Sequence, residues 1–487
     1  MKTTQQKLNT PSLPMPITVQ PYRHQQAAFD FACQRFGLVP SKRNSRGVAL
    51  LMEMGCGKTL TAIGIAGVLL QCDRIQRCLV VAPLSILGVW ESEFAAFADF
   101  PYTLTVLTGT KEKKRQTLQH LPAADGLQIV VVNYESARIL KNELLHFDAD
   151  LIIADEGHKL KENRSQQSKA MHALGDRARY KLLLTGTLIT NKELDVFSQY
   201  RFLEPTIFGT SFYQFRGHYF DMIGYGNHTP RFRQWRMDEF LKRLHSIAYR
   251  VTKDECLDLP AITEEIRPVQ LEPKAMRCYE DLQRDSYAEL KEHKEVTATN
   301  ILTKLLRLSQ VTGGHLPDDD SHIHQVSKAK LDTLSDIIDT IVDEGKKVVV
   351  MARFVPELDD IEAMLQKKKI GYAVVRGGVK NRSEEVRRFQ EDADCTVFLG
   401  QIAAAGLGIT LTAASTMVFY SLDYSMSDFD QAKARIHRVS QTENCHYIYL
   451  IAQNTIDAKM LRALRKKVDL ARLLVDDWRH GKNPFLN

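Results

Sequence analysis

The apolar residues of this chain fall into short continuous runs that alternate with amphipathic stretches. The first series of runs consists of residues 47–54, 77–83, 127–135, 149–156 and 180–187. These runs are rich in Val, Ile and Leu and end beside polar residues, which is typical of buried parallel strands. Ligands gather at the C-terminal ends of such strands, so a functional site is expected there.

A second series of strand-like runs begins near Lys346 and alternates with helices in the same way. It consists of residues 346–353, 370–377, 395–400, 415–423 and 445–452. Between the two series, from about residue 195 to residue 308, the pattern is largely helical, and the polar, acidic stretch 317–327 marks the expected boundary. The sequence therefore predicts two α/β halves, each with a parallel sheet covered on both faces.

Composition and charge narrow the class of protein only slightly. Of the 487 residues, 44% are hydrophobic and 25% are charged, and the net charge of +6 permits nucleic-acid binding without demonstrating it. No apolar run approaches the ~20 residues of a membrane helix, and the N-terminus lacks the pattern of a secretory signal. We therefore expect a cytoplasmic protein, or a nuclear one if the source is a eukaryote.

Cysteines and histidines give little indication of a structural metal site. The eight cysteines are scattered without a Cys-x-x-Cys pair, which argues against zinc and disulfides and fits a reducing compartment. His322 and His324 stand beside three aspartates, a combination that can bind a metal ion. A solvated loop is the better interpretation, because nothing in the spacing fixes a ligand geometry.

The segment GCGKT follows the first predicted strand and opens a helix, which is the arrangement of a phosphate-binding loop. Gly55 and Gly57 would let backbone N–H groups approach phosphate oxygens at a helix N-terminus. Lys58 would neutralise the β- and γ-phosphates, and Thr59 would bind Mg²⁺. The longer form of the motif has a glycine where Met52 stands, so the match covers the core of the loop. The alternative is an ordinary glycine turn.

Asp155 and Glu156 close the apolar run LIIA. A carboxylate at this point can hold Mg²⁺ on the phosphate loop, and the adjacent Glu156 can orient and deprotonate the attacking water. An Asp-Glu pair alone is a weak signal, because many loops begin in this way. Paired with Lys58 across one predicted sheet, it predicts a site for ATP hydrolysis.

Arginines that could stabilise charge on a transferring γ-phosphate occur in the segment QAKARIHRVSQ, residues 431–441. Arg435 and Arg438 are three residues apart, so both would face one side of a helix. For this segment in isolation, a solvated basic helix is the preferred interpretation. The order of all the motifs reverses that preference.

Taken in order, the motifs closely resemble those of the Swi/Snf family of superfamily 2 helicase-like, DNA-dependent ATPases. The similar segments are residues 52–59, 80–94, 131–135, 155–162, 182–191, 248–260, 302–310, 327–334, 400–415 and 431–441. This ordered set is far more specific than any single motif. The resemblance implies two tandem RecA-like lobes with helical insertions between them, in a minimal motor of bacterial or phage type.

The resemblance also implies where the lobes begin and end. The first RecA-like lobe, with a helical insertion, would span residues 1–252, and the second would span residues 328–487. A helical linker would occupy residues 253–327 between them. ATP bound by the first lobe would recruit groups of the second, and hydrolysis would release that grip and shift one lobe along DNA.

Each residue of the expected ATP site receives a role from the resemblance. The nucleotide would be bound by Gln25, which reads the adenine, and by Gly55, Gly57, Lys58, Thr59, Gly408 and Gln431. Thr59 and Asp155 would hold Mg²⁺, and Glu156 would activate water. Arg435 and Arg438 would reach across the cleft to the γ-phosphate. The implied cofactors are ATP and Mg²⁺.

The partner that the resemblance implies is double-stranded DNA, bound through its phosphates without sequence preference. The candidate contacts are Ser85, Asn133, Tyr134, Arg353 and Gly406. The turn between Gly406 and Gly408, with Gln431, would couple the cleft to the DNA track. Core packing is the alternative for Tyr134, and the basic segment 111–115 is either a further contact or a solvated helix face. We expect a monomer.

Three departures from the family pattern bear on coupling between the lobes. Leu188 stands where the family usually has proline, and Gln401 stands where it has serine or threonine. The segment SQVTGGH, residues 309–315, replaces an end that usually resembles Cys-Asn-His-Pro. None of these changes removes a catalytic group.

Two other functions stay open at this point. One is a strand-separating or annealing helicase on DNA forks or RNA, and residues 216–235 could hide the pin hairpin that such an enzyme uses. The other is a DNA-bound ATP switch or scaffold. The complete set of ATP-site residues argues against a scaffold, because a scaffold does not need them together.

Overall fold

The computed structural model describes residues 13–41, 43–186, 188, 193–223, 229–252, 255, 259–292, 298–318, 322–378, 381–402, 409–438 and 440–466. The chain forms two compact units, unit 1 (Met1–Leu257) and unit 2 (Asp258–Asn487). Each unit is built around one parallel sheet, so the predicted fold class is confirmed. Among the described helices, none is long and apolar enough to cross a membrane.

Unit 1 contains all five strands that the first series of apolar runs predicts, together with further strands. Its strands are β1 (Gly47–Met52), β2 (Arg77–Ala82), β3 (Tyr102–Val106), β4 (Leu127–Asn133), β5 (Leu151–Asp155), β6 (Tyr180–Leu184), β7 (Phe220–Ile223), β8 (Thr229–Phe232) and β9 (Ala248–Val251). Seven of them form a sheet in the order β3-β4-β2-β5-β6-β1-β9. The two edge strands, β3 and β9, were not among the predicted runs, because edge strands carry fewer buried apolar residues.

The helices of unit 1 cover both faces of this sheet. They are α1 (Arg23–Arg35), α2 (Lys58–Gln71), α3 (Leu87–Phe97), α4 (Lys111–Gln119), α5 (Tyr134–Ile139), α6 (Lys141–Phe147), α7 (Gln166–Arg177), α8 (Asp195–Leu203), α9 (Pro205–Phe208), α10 (Phe212–Tyr219) and α11 (Met237–Leu244). In β1, Val48 and Leu50 pack in the core with α1 and α2, whereas Ala49 and Leu51 pack in the opposite core with α7 and α8. This two-sided burial is why β1 is apolar at every position.

Residues 205–247, here called the aromatic insertion, lie between α8 and β9. They contain α9, α10 and α11 and also the antiparallel hairpin of β7 and β8. The sequence predicts a largely helical segment here and leaves open a hairpin within residues 216–235, and β7 and β8 form a hairpin in that stretch. Each of its strands has only four residues, too few for an alternating pattern to stand out. Its core is a cluster of buried aromatic rings, among them Phe208, Phe215 and Phe240.

Unit 2 contains the second predicted series of strands. Its strands are β10 (Ile262–Val269), β11 (His315–Pro317), β12 (Ile323–Gln325), β13 (Val348–Ala352), β14 (Gly371–Val375), β15 (Cys395–Gln401), β16 (Thr416–Phe419) and β17 (Cys445–Ala452). Six form a parallel sheet in the order β10-β17-β16-β13-β15-β14. The helices are α12 (Pro273–Glu292), α13 (Ala298–Thr312), α14 (Ala329–Asp343), α15 (Val355–Lys368), α16 (Arg382–Glu391), α17 (Met426–Lys433) and α18 (Ile456–Arg465).

The segment expected to be a helical linker, residues 253–327, also holds strands. It carries α12 and α13, but β10 pairs along all eight of its residues with β17. Most side chains of β10 are exposed and many are charged, because the strand lies at the edge of the sheet. No apolar run therefore marks it in the sequence. The three-part division of the chain stays a prediction.

The acidic stretch that was considered as a metal site forms part of the small hairpin of β11 and β12. Nε2 of His324 lies 2.8 Å from Asp318, and Nδ1 of His322 lies 3.6 Å from the same carboxylate. Both histidines are largely exposed. Among the described residues, no group of three or more His, Cys, Asp or Glu side chains is arranged to hold a metal ion.

Candidate active site

The loop between β1 and α2 has the backbone that its glycines allow. Gly55 has φ of 88° and Gly57 has φ of 82°, both in the left-handed region that side chains with a Cβ rarely adopt. Gly57 is the residue before the first turn of α2, which begins at Lys58. The free N–H groups of that turn make this loop suitable for an anion such as a phosphate.

Lys58 lies folded over this loop. Its Nζ donates a hydrogen bond to the carbonyl oxygen of Met52 at 3.0 Å, which keeps the ammonium at the C-terminal end of β1. Thr59 follows in the first turn and is half-buried. Gly186, after β6, lies against the same loop, since a Cβ added to it would sit 3.5 Å from the Met52 oxygen. Thr187, Ile189 and Asn191, in the family-like segment 182–191, lie outside the described residues.

Gln25 and His24, at the start of α1, contact the phosphate loop from its other side. Oε1 of Gln25 accepts from the backbone N–H of Tyr22 at 2.9 Å, and its Nε2 points to the carbonyl of Cys56 at 3.4 Å. Nε2 of His24 lies 2.9 Å from the same carbonyl, and burial lowers the pKa of His24. A Cβ on Gly57 would meet Gln25 Nε2 at 2.1 Å, so this glycine is also required for space.

Asp155 ends β5 with its carboxylate buried and held by donors on both oxygens. Oδ2 accepts from Nε1 of Trp90 at 3.0 Å, and Oδ1 accepts from the backbone N–H of Glu156 at 2.9 Å. Burial, together with the charge of Glu156, raises the pKa of Asp155 to about 7, while Lys58 and the Trp90 hydrogen bond oppose this rise. A buried carboxylate next to a lysine is a suitable ligand for a hard cation.

Glu156 follows with an unusual backbone for a glutamate. Its φ is 50°, in the left-handed region, and its Oε2 lies 3.2 Å from Nδ1 of His158. Glu156 lies between the end of β5 and the 3-10 turn Gly157–Leu160. Strained backbone of this kind clusters at functional sites.

Tyr134 is part of the core and not of the surface. It is 5% exposed, and its hydroxyl donates to the carbonyl oxygen of Asp155 at 2.7 Å. Burial raises the pKa of Tyr134, which keeps the hydroxyl neutral and able to donate. Of the two roles considered for Tyr134, core packing fits this position better than direct contact with DNA, because a phosphate cannot reach a ring this buried.

The other candidates of unit 1, Ser85 and Asn133, lie at the C-terminal ends of two strands of the sheet. Ser85 is in a 3-10 turn directly after β2, and Asn133 is the last residue of β4. Ala82 and Asn133 are register partners, so the ends of β2 and β4 are adjacent. The basic segment 111–115 is the start of α4, where Lys114 donates to Ser136 and Arg115 to Glu143.

Arg353 follows β13 in unit 2, and its guanidinium is held between two aromatic rings. It lies 5.1 Å from the ring of Phe354 and 4.5 Å from the ring of Tyr424, and its Nη2 is 3.7 Å from Asp423. Only 9% of the side chain is exposed. Contact with a DNA phosphate would therefore need the side chain to leave this position, and it stays a prediction.

The two candidate γ-phosphate arginines lie beyond the end of α17, not within it. Their Nη1 atoms converge on the carbonyl oxygen of Ile409, at 3.4 Å from Arg435 and 3.3 Å from Arg438. Arg438 also donates to Thr410 at 2.7 Å. The prediction of one shared helix face is wrong, because the chain turns after Lys433, but the two side chains still meet.

The two arginines differ in exposure. Arg435 is 1% exposed, whereas Arg438 is partly exposed. Contact between Arg435 and a phosphate would therefore need the side chain to leave this buried position, and it stays a prediction. Gln431, on α17, is half-buried. Gly406 and Gly408 lie outside the described residues.

Two known protein families match the sequence of this chain. The SNF2-related domain matches residues 24–314, and the helicase conserved C-terminal domain matches residues 329–440. The first match alone spans more than half of the chain. This chain belongs to the SNF2-related family of helicase-like ATPases. The predicted Swi/Snf membership and the prediction of an ATPase are thereby confirmed.

Individual relatives of this SNF2 ATPase are distant. The DNA repair and recombination protein RAD54-like of Drosophila persimilis is 26% identical over 96% of this chain and 65% of its own length. An uncharacterized ATP-dependent helicase of Mycoplasma genitalium is 26% identical over 89% of this chain and 41% of its own length. The chain thus spans less than two thirds of the length of these relatives. The Sulfolobus solfataricus SWI2/SNF2 ATPase core in complex with dsDNA covers 98% of this chain and all of that chain, with 22% identity and a TM-score of 0.46.

Some residues around the site of this SNF2 ATPase were not assigned from the sequence. Trp90 lies in the family-like segment 80–94 without an assigned role, yet it donates a hydrogen bond to the Asp155 carboxylate. His24 and His158 contact the loop and Glu156. A tryptophan in an otherwise ordinary amphipathic helix was the only available signal, because hydrogen bonds between elements 65 positions apart leave no local pattern.

Proposed function

We propose that this SNF2-related ATPase is a motor that couples ATP hydrolysis to translocation along double-stranded DNA. The observation that carries the proposal is that Lys58, Asp155 and Glu156 lie at the C-terminal ends of one sheet, around a loop with a phosphate-binding backbone. The names of the RAD54-like relatives, which are DNA repair and recombination proteins, support DNA as the track.

In the proposed ATP site, the N-terminus of α2 and Lys58 bind the phosphates, and Gln25 binds the adenine. Thr59 and Asp155 would hold Mg²⁺. Their oxygen atoms suit this hard cation, and among the described residues the buried Asp155 carboxylate accepts from two N–H groups. The ion, when bound, neutralises charge on the β- and γ-phosphates.

Glu156 is the proposed general base. Its carboxylate is partly exposed and lies beside His158, so it can accept a proton from an attacking water and pass it on. The Asp155 carboxylate is buried and accepts a hydrogen bond on each oxygen, whereas the Glu156 side chain is partly exposed. In this proposal Asp155 binds the cation and Glu156 accepts the proton of the water.

We propose that Arg438 stabilises the charge on the γ-phosphate and that Arg435 holds it in place through the shared contact with Ile409. An arginine in this role can contribute roughly 10³ to 10⁵ in rate. Gln431, Gly406 and Gly408 would couple the nucleotide state to the DNA contact. Both arginines point at the chain segment that follows these glycines, which supports a connection between them.

The proposed DNA contacts are made through phosphates at strand ends. In unit 1 these are Ser85, in the turn after β2, and Asn133, at the end of the adjacent strand β4. In unit 2 they are Arg353 and Gly406. Such contacts carry no sequence information, so affinity should fall steeply with salt and should not depend on sequence.

The central experiment compares ATP turnover with double-stranded DNA, single-stranded DNA and RNA. We expect the largest stimulation with the duplex, and displacement of a triplex-forming third strand without separation of the duplex. Glu156→Gln should bind ATP and lose hydrolysis, and Arg438→Ala should lose DNA-stimulated turnover while binding ATP. Stimulation by RNA alone would overturn the proposal of a DNA motor, and wild-type turnover in Arg438→Ala would remove the role of that arginine.

A further inference from the structure

The aromatic insertion of unit 1 presents one tryptophan to the solvent. Trp235 lies in the 3-10 turn Gln234–Arg236 and is 71% exposed, more than any other large apolar side chain among the described residues. A single exposed apolar residue needs no special explanation. The surroundings of Trp235 are what distinguish it.

One face of the Trp235 ring is covered by a guanidinium that is itself fixed. The Arg236 guanidinium lies 4.2 Å from the ring centroid. Its Nη1 makes two further contacts at 2.8 Å, with Nε2 of His218 and with Oε2 of Glu239. These contacts hold Arg236 in place against the ring, and Trp235 nevertheless stays largely exposed.

The turn that carries Trp235 is anchored in the aromatic core on both sides. Phe232, three residues before it, is 7% exposed, and Phe240, five residues after it, is fully buried. Their ring centroids lie 5.3 Å apart. The exposed indole therefore stands on a rigid base, and little conformational entropy is lost when a ligand stacks on it.

The surroundings of Trp235 are basic. The aromatic insertion with the three residues that follow it, residues 205–250, contains seven Lys and Arg against three Asp and Glu. Arg231 is exposed on β8, in the strand that leads to the tryptophan. Arg233 is fixed by Asp221 at 2.9 Å and by the carbonyl of Gly217 at 2.9 Å. A positively charged surface with an aromatic platform is the combination that binds single-stranded nucleic acid.

We infer that Trp235 stacks on an unpaired base of single-stranded DNA, at a junction or frayed end of the duplex that the motor travels on. This inference rests on the proposed function for the presence of DNA. The bases of an intact duplex hide their faces against one another, so a protruding indole cannot stack on them. A base that has left the duplex offers both faces, whatever its identity.

The test compares binding of full-length wild type and variants to labelled oligo(dT) and to a blunt duplex by fluorescence anisotropy. Trp235→Leu keeps an apolar side chain but removes stacking, and it should weaken oligo(dT) binding by at least about five-fold, the lower end of one stacked base. Trp235→Phe keeps an aromatic face and should stay within about two-fold of wild type. Binding to the blunt duplex should be the same in all three proteins.

A second readout uses the tryptophan itself. The fluorescence lost on Trp235→Phe belongs to this residue, and oligo(dT) should quench that component while the blunt duplex leaves it unchanged. Equal weakening on both DNAs in Trp235→Leu would indicate a general phosphate surface and would overturn the inference, as would wild-type affinity for oligo(dT). Absence of any DNA binding by wild type would instead refute the proposed function, so the two failures are distinguishable.

Discussion

The indole nitrogen of Trp90 donates a hydrogen bond to Oδ2 of Asp155 at 3.0 Å, and this bond ties α3 to the proposed Mg²⁺ ligand. Tyr134, at the start of α5, makes the corresponding bond to the carbonyl oxygen of the same aspartate. These helices follow β2 and β4, whose ends carry the proposed DNA contacts. If DNA binding shifts α3 or α5, as we propose, the shift would change the hydrogen bonds that position Asp155.

Trp90→Phe should shift the acidic limb of the ATPase pH profile to higher pH. The hydrogen bond stabilises the ionised carboxylate and so lowers the pKa of Asp155, and its loss lets that pKa rise. If ionised Asp155 is needed, activity is then lost at a higher pH. We also expect roughly ten-fold lower turnover at neutral pH, the equivalent of about 1.4 kcal/mol, measured as steady-state rates from pH 5.5 to 9.

A matched control for this variant is Tyr102→Phe. Tyr102 packs in the same aromatic cluster, 5.3 Å from Phe94 between ring centroids, but it is not bonded to the carboxylates. Its pH profile should coincide with that of wild type. A profile for Trp90→Phe that also coincides would show that the hydrogen bond does not tune Asp155.

Tyr134→Phe should lower turnover through the position of the Asp155–Glu156 peptide. The variant removes one buried hydroxyl, which should cost about 1 kcal/mol of unfolding free energy. Tyr200→Phe is the control, because the Tyr200 hydroxyl also donates to a buried carbonyl, that of Leu244, at 2.6 Å. Equal destabilisation with lower turnover only in Tyr134→Phe is the expected result. Equal turnover in both variants would reduce Tyr134 to a packing role.

Gly57→Ala should abolish ATP binding. The backbone at Gly57 has φ of 82°, and the added Cβ would lie 2.1 Å from Nε2 of Gln25, so either the loop or the glutamine must move. Gly88→Ala is the control, since a Cβ at that position in α3 meets no atom within 4 Å. Titration with a fluorescent ATP analogue should give wild-type affinity for Gly88→Ala and no saturable binding for Gly57→Ala. Saturable binding by Gly57→Ala would contradict the loop's role.

Glu357 of unit 2 should make stability depend on pH. It is 1% exposed, accepts from the backbone N–H groups of Arg353 and Phe354 and from the Ser421 hydroxyl, and burial raises its pKa to about 7. A raised carboxyl pKa means that its stabilising contribution is complete below the ordinary value of 4.5 and is lost as pH rises to about 7.

The size of this effect follows from the shift. Raising the pKa from 4.5 to about 7 corresponds to about 3 kcal/mol of unfolding free energy between acid and neutral pH. The difference in unfolding free energy between wild type and Glu357→Gln, from urea titrations at pH 5 and pH 8, should change by that order in favour of the variant. A difference that does not change with pH would mean that Glu357 is ionised in the folded protein.

The sequence alone supported the α/β class, the two halves and the main residues of the ATP site. The strands with continuous Val, Ile and Leu were found because both faces of a central strand are buried, which leaves an unmistakable run. Gly55, Gly57 and Lys58 were predicted to bind phosphate because a phosphate loop needs special backbone and charge within a few consecutive residues. Family membership followed from the order of such local motifs.

Only the tertiary structure decided the contacts between distant elements. Trp90 and Tyr134 meet Asp155 across gaps of 65 and 21 residues, and the burial of Arg435 depends on a turn after α17. The edge strand β10 escaped the sequence because exposed strands lack an apolar run, and the hairpin before Trp235 was only an open alternative because its strands are short. Local patterns record what a segment needs by itself. They do not record which buried polar group in a distant element the segment bonds to. The hydrogen bonds to the Asp155 carboxylate and carbonyl are of this distant kind.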